Sequence, residues 1–510
     1  MPLIDQAVAH HTRGEIAQAE ALYRKILRQT PAHFDALQLL GVICHQSGKH
    51  AEAVDLMQRA LRANPSQAAV YSNLGLALQA LGRYDDALAS YDKCLRLDPK
   101  HAAALSNRGN VLKTLGRMEE ALENYERALS VNPNSPAALN NRATMLRLLD
   151  RHSEALADCD LALELAPGYA DALCNRGSVL QDLLRYREAL ESYAAALRVD
   201  PGHADAHWND GLCRLMLGDY AKGWPKYEWR WKTAQRGTER EFSQPLWLGK
   251  ESLRDRAILL HSEQGLGDTL QFCRYARHVS ALGATVVLEV QAPLKALLSR
   301  LEGVAGVVAR GEPLPPFDFQ CPLPSLPLAL ASSLRGIPAD RGYLRSDPEA
   351  VRRWSARLGP KRKPRVGIVW RGGHVNPRRS VPIAMIGRLV TDRVDFFCLQ
   401  KDVNDAERLA LGASPGIAVI ADEIGDFSDT AAVVELMDLV ISIDTSIAHL
   451  AGGMGANLWV MLPRNPDWRW MADRSDSPWY PGATLFRSTD YGDWSGVVAR
   501  IATRLAQEFR

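Results

Sequence analysis

The sequence lacks cysteine pairs and cysteine–histidine clusters at zinc-site spacing. Its 8 cysteines are scattered, without a C-x-x-C pair, which predicts reduced and mostly buried thiols. Net charge is also nearly absent, because 61 Lys and Arg against 59 Asp and Glu leave only +2 on 510 residues. The chain therefore has no electrostatic footprint for nucleic acid.

Long apolar runs are missing as well. No uncharged apolar run approaches the ~20 residues that a membrane span needs, and the N-terminal segment contains Asp5 and no apolar region typical of a secretory signal. We therefore expect a cytoplasmic protein. The hydrophobic fraction of 46% is sufficient for the cores of several domains.

The first half is organised by prolines at a constant interval of 34 residues: Pro31, Pro65, Pro99, Pro133, Pro167 and Pro201. Small residues recur at the same interval: Gly41, Gly75, Gly109, Ala143, Gly177 and Gly211, then Ala53, Ala87, Ala121, Ala155 and Ala189. Each period predicts two helices that approach closely at the small residues and end before the proline. The pattern resembles the tetratricopeptide repeat over residues 1–235, which implies an α-solenoid. The aromatic segment 218–233 is expected to cap the array and to pack against the next domain.

Asparagines stand at one position of successive first helices, two residues before the small residue: Asn73, Asn107, Asn141, Asn175 and Asn209. A carboxamide offers both a donor and an acceptor, so a column of them on a concave surface can hold an extended peptide through its backbone. The alternative is that these asparagines only form hydrogen bonds between repeats. Both interpretations remain open from the sequence.

Strand-like runs alternate with helical stretches in the second half, as in AILLHSE and ATVVLEV, and again from RVGIVW to NLWVMLPR. This is a βαβ pattern, and it predicts two Rossmann-like lobes over residues 245–350 and 364–510. A Pro-rich passage and a basic stretch at 352–365 interrupt the pattern. We expect the basic stretch to be a solvated helix and linker.

The first strand-to-helix junction, SEQGLGDTL, places Gly265 and Gly267 directly after a predicted strand. Glycines there let the backbone turn tightly and approach a ligand at the end of a sheet. The full G-x-G-x-x-G pattern is absent because position 270 is leucine, which argues against a dinucleotide site. Asp268 begins the next helix, either as a helix cap or as a general base that faces a cleft.

The second junction is SIDTSIAHLAGGMG, where a helix begins at Asp444, Thr445 and Ser446 after a strand-like run. Hydroxyls and N–H groups at a helix start can bind a pyrophosphate. His449, one turn later, is a candidate contact for the same ligand, and its alternative is simple packing.

Two basic residues near predicted strand ends, Arg379 and Lys401, are candidates to neutralise a leaving phosphate, with surface cations as the alternative. The single D-x-D match, at residues 158–160, lies inside a repeat helix and is a coincidence of composition. We therefore expect no metal, with the phosphate charge met by the helix end and basic side chains.

The segments DTSIAHLAGGMG and GLGD resemble the ADP-heptose lipopolysaccharide heptosyltransferases and related GT-B glycosyltransferases, over about residues 245–510. The resemblance implies two Rossmann-like lobes with a nucleotide-sugar in the cleft and no further cofactor. It implies Asp268 as the catalytic base. The donor-binding candidates are Gly265, Gly267, Arg379, Lys401, Asp444, Thr445, Ser446 and His449.

The combination of a repeat array with such a domain resembles the O-GlcNAc transferases, in which the asparagine ladder holds acceptor polypeptides. The layout also resembles bacterial flagellin glycosyltransferases, which implies a flagellin-like acceptor and a hexosamine or nonulosonic-acid donor. We expect a protein O-glycosyltransferase that acts on Ser/Thr. Two alternatives remain open. One is an interaction scaffold with an inactive transferase domain, and the other is a transferase that acts on lipopolysaccharide or another glycan.

Overall fold

The computed structural model describes residues 2–233, 240–339, 342–372, 379–413 and 416–510. The chain forms two compact units, Met1–His203 and Ala204–Arg510. The first unit is built from helices, and the second contains two parallel sheets with flanking helices. In the described residues, no helix is both long enough and apolar enough to cross a membrane.

The described part of the first unit consists of helices in consecutive pairs. They are α1 (Leu3–Thr12), α2 (Ile16–Gln29), α3 (Phe34–Gln46), α4 (His50–Ala63), α5 (Ala68–Ala80), α6 (Tyr84–Leu97), α7 (Ala102–Thr114), α8 (Met118–Val131), α9 (Pro136–Leu148), α10 (His152–Leu165), α11 (Ala170–Asp182) and α12 (Tyr186–Val199). Pro31 and Pro65 lie two residues beyond the ends of α2 and α4, where a proline does not interrupt helical hydrogen bonds. The predicted helical repeat is confirmed.

The small residues of the repeat allow each helix pair to pack closely. A Cβ added at Gly75 would lie 2.5 Å from Cε1 of Tyr91 in the next helix, and one at Gly177 would lie 2.5 Å from Cε1 of Tyr193. Both tyrosines are buried. A glycine is therefore required at these positions because the aromatic ring occupies the space of a side chain.

The repeat array predicted over residues 1–235 extends across both compact units, because the second unit begins at Ala204. Helices α13 (Ala204–Met216) and α14 (Tyr220–Tyr227), with the 3-10 turn Glu228–Lys232, keep the repeat interval but belong to the second unit. Trp224 Nε1 donates to the Ser332 carbonyl at 3.2 Å, and Trp479 Nε1 donates to the Tyr220 hydroxyl at 3.0 Å. The aromatic segment packs against the sheet-containing region, as predicted.

The first sheet has the strand order β3-β2-β1-β4 and is parallel throughout. Its strands are β1 (Ala257–His261), β2 (Thr285–Val290), β3 (Gly306–Ala309) and β4 (Phe319–Pro322), and its helices are α15 (Leu266–Phe272), α16 (Ala276–Ser280), α17 (Lys295–Leu298) and α18 (Leu326–Ala329). Strand β4 lies within the Pro-rich passage, so the prediction that this passage only interrupts the pattern is wrong. Pro322 ends an edge strand, where its missing N–H costs no central ladder bond.

The second sheet has the order β10-β9-β8-β5-β6-β7 and is also parallel. Its strands are β5 (Arg365–Val369), β6 (Asp395–Cys398), β7 (Ile417–Val419), β8 (Leu439–Ile443), β9 (Leu458–Leu462) and β10 (Ala483–Arg487). Its helices are α19 (Pro348–Leu358), α20 (Ile383–Ile386), α21 (Asp405–Ala413), α22 (Phe427–Glu435), α23 (Ser446–Met454) and α24 (Ser495–Glu508). From β5 the strands β6 and β7 follow on one side, and then β8, β9 and β10 follow on the other side of β5. The order therefore reverses between β5 and β8, and a crevice opens there at their carboxyl ends.

Helix α19 lies mostly in the segment between the two predicted lobes, residues 350–364. Trp354 Nε1 donates to Asp429 Oδ1 at 3.1 Å, so this helix packs on α22 of the second sheet. Arg357 on its solvent side donates to Glu423 at 2.6 Å. The basic stretch is thus a surface helix followed by a connection, as predicted.

Candidate active site

A cavity of about 630 Å³ lies at the carboxyl ends of β1, β5, β6 and β8. The side chains that line it come from the segments that follow these strands, where parallel sheets bind ligands. All of the predicted catalytic and donor-binding residues line this one cavity: Gly265, Gly267, Asp268, Arg379, Lys401, Asp444, Thr445, Ser446 and His449. The structure therefore brings together two sequence motifs that lie more than 170 residues apart.

Asp268 makes two contacts that define its position. Its Oδ2 accepts from the Gly265 N–H at 2.8 Å, and its Oδ1 accepts from Arg469 Nη2 at 2.5 Å. The side chain is 21% exposed, toward the cavity that it lines. Asp268 therefore caps α15, as the structural alternative predicted, and it also lines the cavity.

Arg469 is the principal cavity residue that the sequence did not indicate. Its Nε donates to Gln271 Oε1 at 2.7 Å and its Nη1 to Asp467 Oδ1 at 2.8 Å. Burial alone would lower the pKa of Arg469, but Asp467 and Asp268 outweigh it and raise that pKa well above its usual range. Arg469 is therefore a fixed cation that joins the two sides of the cavity.

His449 is buried and neutral. Its Nδ1 lies 2.7 Å from the Tyr480 hydroxyl, and its Nε2 lies 3.7 Å from Asp444 Oδ1, beyond hydrogen-bond distance. Burial, with a smaller effect of the Arg469 charge, lowers the pKa of His449 to about 3. His449 therefore brings no positive charge to a bound phosphate at neutral pH.

Close packing against His449 requires a glycine at position 267. A Cβ at this position would lie 2.7 Å from Cδ2 of His449. Helix α15 of the first sheet region thus approaches α23 of the second at this point, and a side chain at Gly267 would push the two helices apart.

The start of α23 is held by local contacts. Asp444 Oδ2 accepts from Arg379 Nη1 at 2.9 Å, and the hydroxyls of Thr445 and Ser442 lie 3.0 Å apart. Burial raises the pKa of Asp444, and the nearby Arg379 opposes this effect. Ser446 begins the nine-residue helix and lines the cavity, so the first N–H groups of α23 are directed to this region.

Two further cations reach the cavity after β5 and β6. Lys401 Nζ donates to the Gly425 carbonyl at 3.1 Å. Arg371 was not predicted; its Nε donates to Glu407 Oε1 at 2.9 Å. The sequence did contain a signal for Arg371, because it stands two residues after the strand-like run that forms β5.

The cavity is not simply positive. Its described lining includes four basic residues, Arg371, Arg379, Lys401 and Arg469, and five acidic residues, Asp268, Asp402, Asp426, Asp444 and Asp467. Asp426 caps α22 by accepting from the Ser428 N–H at 2.8 Å. A phosphate would therefore compete with Asp444 for Arg379 and would rely on the N–H groups of α23.

The asparagine ladder lies outside this cavity. Asn141 Nδ2 donates to Asn110 Oδ1 at 3.1 Å, and Asn175 Nδ2 donates to Asn140 Oδ1 at 2.8 Å. These two bonds join neighbouring first helices, as the structural alternative predicted. Asn73 and Asn107 are half-buried in the first unit, and Asn209 lies in the second unit.

The D-x-D match has a structural explanation. It lies in α10, where Asp158 Oδ1 pairs with Arg142 Nη2 at 2.6 Å and Asp160 Oδ1 pairs with Arg176 Nε at 2.6 Å. Among the residues described, no group of three or more His, Cys, Asp or Glu has the arrangement of a metal site.

Comparisons with known proteins identify the helical repeat. Residues 66–134 match the tetratricopeptide repeat family, and residues 4–68, 108–170 and 174–227 match a second description of the same repeat. These residues are therefore tetratricopeptide repeats.

A curated relative and two solved structures resemble the chain. "Protein FlbA" of Caulobacter vibrioides is 29% identical over an alignment of 322 residues, which covers 57% of this chain and 53% of that protein. The chain thus spans about half the length of this relative. YrrB, described as a TPR protein with an unusual peptide-binding site, is 23% identical with a TM-score of 0.31, over 36% of this chain and 95% of that one. PilF of Pseudomonas aeruginosa is 23% identical with a TM-score of 0.37, over 40% of this chain and 93% of that one.

Proposed function

We propose that this tetratricopeptide repeat protein is a protein O-glycosyltransferase of the GT-B type. It would transfer a sugar from a nucleotide-sugar to a Ser/Thr hydroxyl of a polypeptide, with inversion and without a metal. The observation that supports the proposal is the cavity at the carboxyl ends of two parallel sheets. There Asp268 stands on one side, and the start of α23 with Arg379 stands on the other.

The donor's phosphate would bind at the start of α23. Its oxygens would accept hydrogen bonds from the first N–H groups of that helix and from Arg379, which must exchange Asp444 for the ligand. As the bond between the anomeric carbon and the phosphate oxygen breaks, its electron pair leaves with the phosphate. Arg379 and the helix end would stabilise the charge that develops.

The acceptor hydroxyl would be activated by Asp268. Its carboxylate would take the hydroxyl proton while the oxygen attacks the anomeric carbon from the face opposite the phosphate. Asp268 Oδ1 is shared with Arg469 at 2.5 Å, so the acceptor must compete with this ion pair. Arg469 would at the same time hold the carboxylate in one orientation.

The tetratricopeptide repeats would present the polypeptide. Repeat arrays bind extended peptides, and an asparagine column suits backbone recognition. The resemblance of the layout to flagellin glycosyltransferases makes a flagellin-like protein the first acceptor to test.

Nucleotide binding tests the donor half of the proposal. We would titrate the full chain with UDP, GDP, ADP and CMP by calorimetry, and repeat the titration with Arg379→Gln. Lys250→Gln is the matched control because Lys250 is exposed and does not line the cavity. We expect one nucleotide to bind, with affinity at least ~10-fold weaker in Arg379→Gln, about 1.4 kcal/mol. The absence of binding by all four nucleotides, or equal affinity in Arg379→Gln, would contradict the proposal.

A peptide-binding scaffold is the second candidate function. The observation that favours it is that Asp268 and Asp444 are both already engaged, by Arg469 and Arg379. A scaffold predicts that a polypeptide binds the full chain while none of the four nucleotides does. The same titration therefore separates the two candidates.

A further inference from the structure

A second cavity, of about 600 Å³, lies in the sheet-containing unit and is lined by four arginines: Arg274, Arg277, Arg300 and Arg345. Within the described residues, none that lines it also lines the candidate active site. Its walls come from the segments after α15 and α17 of the first sheet region and from the connection that leads to the second sheet.

Arg274 is the buried part of this wall. It is 4% exposed, and its side chain donates to the carbonyls of Gln271, Pro338 and Trp479 at 2.7, 3.2 and 2.8 Å. Its Nη2 also donates to the Tyr343 hydroxyl at 3.0 Å. These acceptors are neutral, so they hold the guanidinium in place without cancelling its charge. A buried charge of this kind favours an anion nearby.

The other arginines are more exposed and lie at the mouth of the cavity. Arg300 Nη2 pairs with Asp347 Oδ1 at 2.8 Å, and Arg277 Nη1 lies 4.0 Å from Glu302 Oε2. Arg345 is exposed. Glu302 also lines the cavity, so its described lining carries four basic groups and one acidic group, and a multiply charged anion would balance the excess positive charge. Planar guanidinium groups also match phosphate oxygens in pairs.

The cavity adjoins the far ends of the two helices that meet in the candidate active site. The Tyr343 hydroxyl donates to the Leu270 carbonyl of α15 at 2.7 Å, and the Leu344 N–H donates to the Gly453 carbonyl of α23 at 3.1 Å. A ligand in the cavity would therefore contact the segment that ties α15 to α23.

We propose that this arginine-lined cavity is a second ligand site, which binds a compact phosphate compound with more than one negative charge. A diphosphate group is the expected recognition element, because its several oxygens can accept hydrogen bonds from more than one guanidinium group. The site is distinct from the cavity of the proposed transferase, and it does not depend on that activity.

Inorganic pyrophosphate is the probe that tests this site. Calorimetry would be done on the full chain in an Arg379→Gln background, chosen to weaken any pyrophosphate binding at the start of α23. We expect pyrophosphate to bind this background, and to bind at least tenfold more weakly when Arg300→Gln and Arg345→Gln are added. Arg352→Gln, on the exposed surface of α19, is the matched control and should leave binding unchanged.

A thermal melt of each variant checks that it is folded. If the variant with all three changes does not fold, Arg345→Gln alone is added to the Arg379→Gln background and titrated in its place. Equal pyrophosphate affinity with and without the Arg300 and Arg345 changes would overturn the second site, as would an absence of pyrophosphate binding. If Arg379→Gln loses nucleotide binding but still binds pyrophosphate, the result concerns the transferase cavity only. The proposed transferase and the proposed second site can therefore fail separately.

Discussion

At the scale of single residues, Arg469 holds the two carboxylates beside it in the cavity. It pairs with Asp268 at 2.5 Å and with Asp467 at 2.8 Å, and its side chain is almost fully buried. Such a cation fixes the orientation of Asp268, and in the proposed reaction it would compete with the acceptor hydroxyl for the carboxylate oxygen. Its removal would leave two acids in a site from which water is partly excluded.

We expect Arg469→Met to destabilise the protein strongly. Removing one partner of a buried pair costs about 3–5 kcal/mol, because the remaining charge is left uncompensated. The free energy of unfolding in urea is the measurement, with the exposed Arg352→Met as control. A change below about 1 kcal/mol, the range of surface ion pairs, would show that the pair is solvated.

His449 predicts a dependence of stability on pH. Its pKa is lowered to about 3 in the folded protein, mainly by burial, whereas an unfolded histidine titrates near ~6.5. Between these values the unfolded state binds the additional proton, so stability is fully present above about pH 6.5 and falls as the pH decreases, by up to ~1.4 kcal/mol per pH unit.

Urea unfolding at pH 7 and pH 5.5 measures this effect. We expect His449→Gln to lose a smaller part of its stability between the two pH values than the wild type, while the control Arg352→Gln, at an exposed position of α19, loses as much as the wild type. An identical loss in all three proteins would show that His449 is solvated.

The residue-level features differ in how far the sequence predicted them. Asp268, Asp444 and His449 belong to short motifs at strand ends, so their shared cavity could be expected from the rule for parallel sheets. Arg469 could not, because its partner Asp268 lies 201 residues away in the chain. Which carboxylate pairs with which cation depends on how the two sheet regions approach each other.

At the scale of the elements, periodicity predicted most of the helices and strands. The interval of 34 residues located the helix pairs, and apolar runs located β5 and β8, which are buried on both faces. Strands β4 and β10 were missed. Strand β4 has four residues and ends in a proline, and β10 alternates in burial and lies at the sheet edge.

Gly177 tests the packing of a helix pair. In an open helix, Gly→Ala stabilises by about 0.5–1 kcal/mol, but here the added Cβ would lie 2.5 Å from Tyr193. We expect Gly177→Ala to destabilise by about 1–3 kcal/mol through overpacking. Gly168→Ala is the control, since a Cβ there has no neighbour within 4 Å in the described structure. Equal melting temperatures for the two variants would contradict this account of the repeat.

At the scale of the whole molecule, acceptor binding and sugar transfer are proposed for different parts of the chain. The tetratricopeptide repeats would bind the acceptor, and the sheet-containing unit would transfer the sugar. The asparagines of the repeats have two possible roles, and Asn141 and Asn175 already serve the structural one.

The ladder can therefore be tested in two parts. We expect Asn73→Ala with Asn107→Ala to reduce acceptor glycosylation several-fold with little change in melting temperature. Asn141→Ala with Asn175→Ala should also lower stability, by about 1 kcal/mol for each inter-repeat hydrogen bond lost. Glycosylation and thermal melts of both double variants are the measurements. Unchanged glycosylation in the first variant would assign the ladder a structural role only.

The most direct test of the central claim is the intact mass of flagellin from cells that carry the wild-type chain, Asp268→Asn or Asp255→Asn. Asp255 is an exposed residue with φ of 58°, a conformation that asparagine tolerates, so Asp255→Asn is the matched control. We predict a mass increment of whole sugar units with the wild type and with Asp255→Asn, and its loss with Asp268→Asn. An unmodified flagellin in the presence of the wild-type chain, or an increment that persists with Asp268→Asn, would contradict the account.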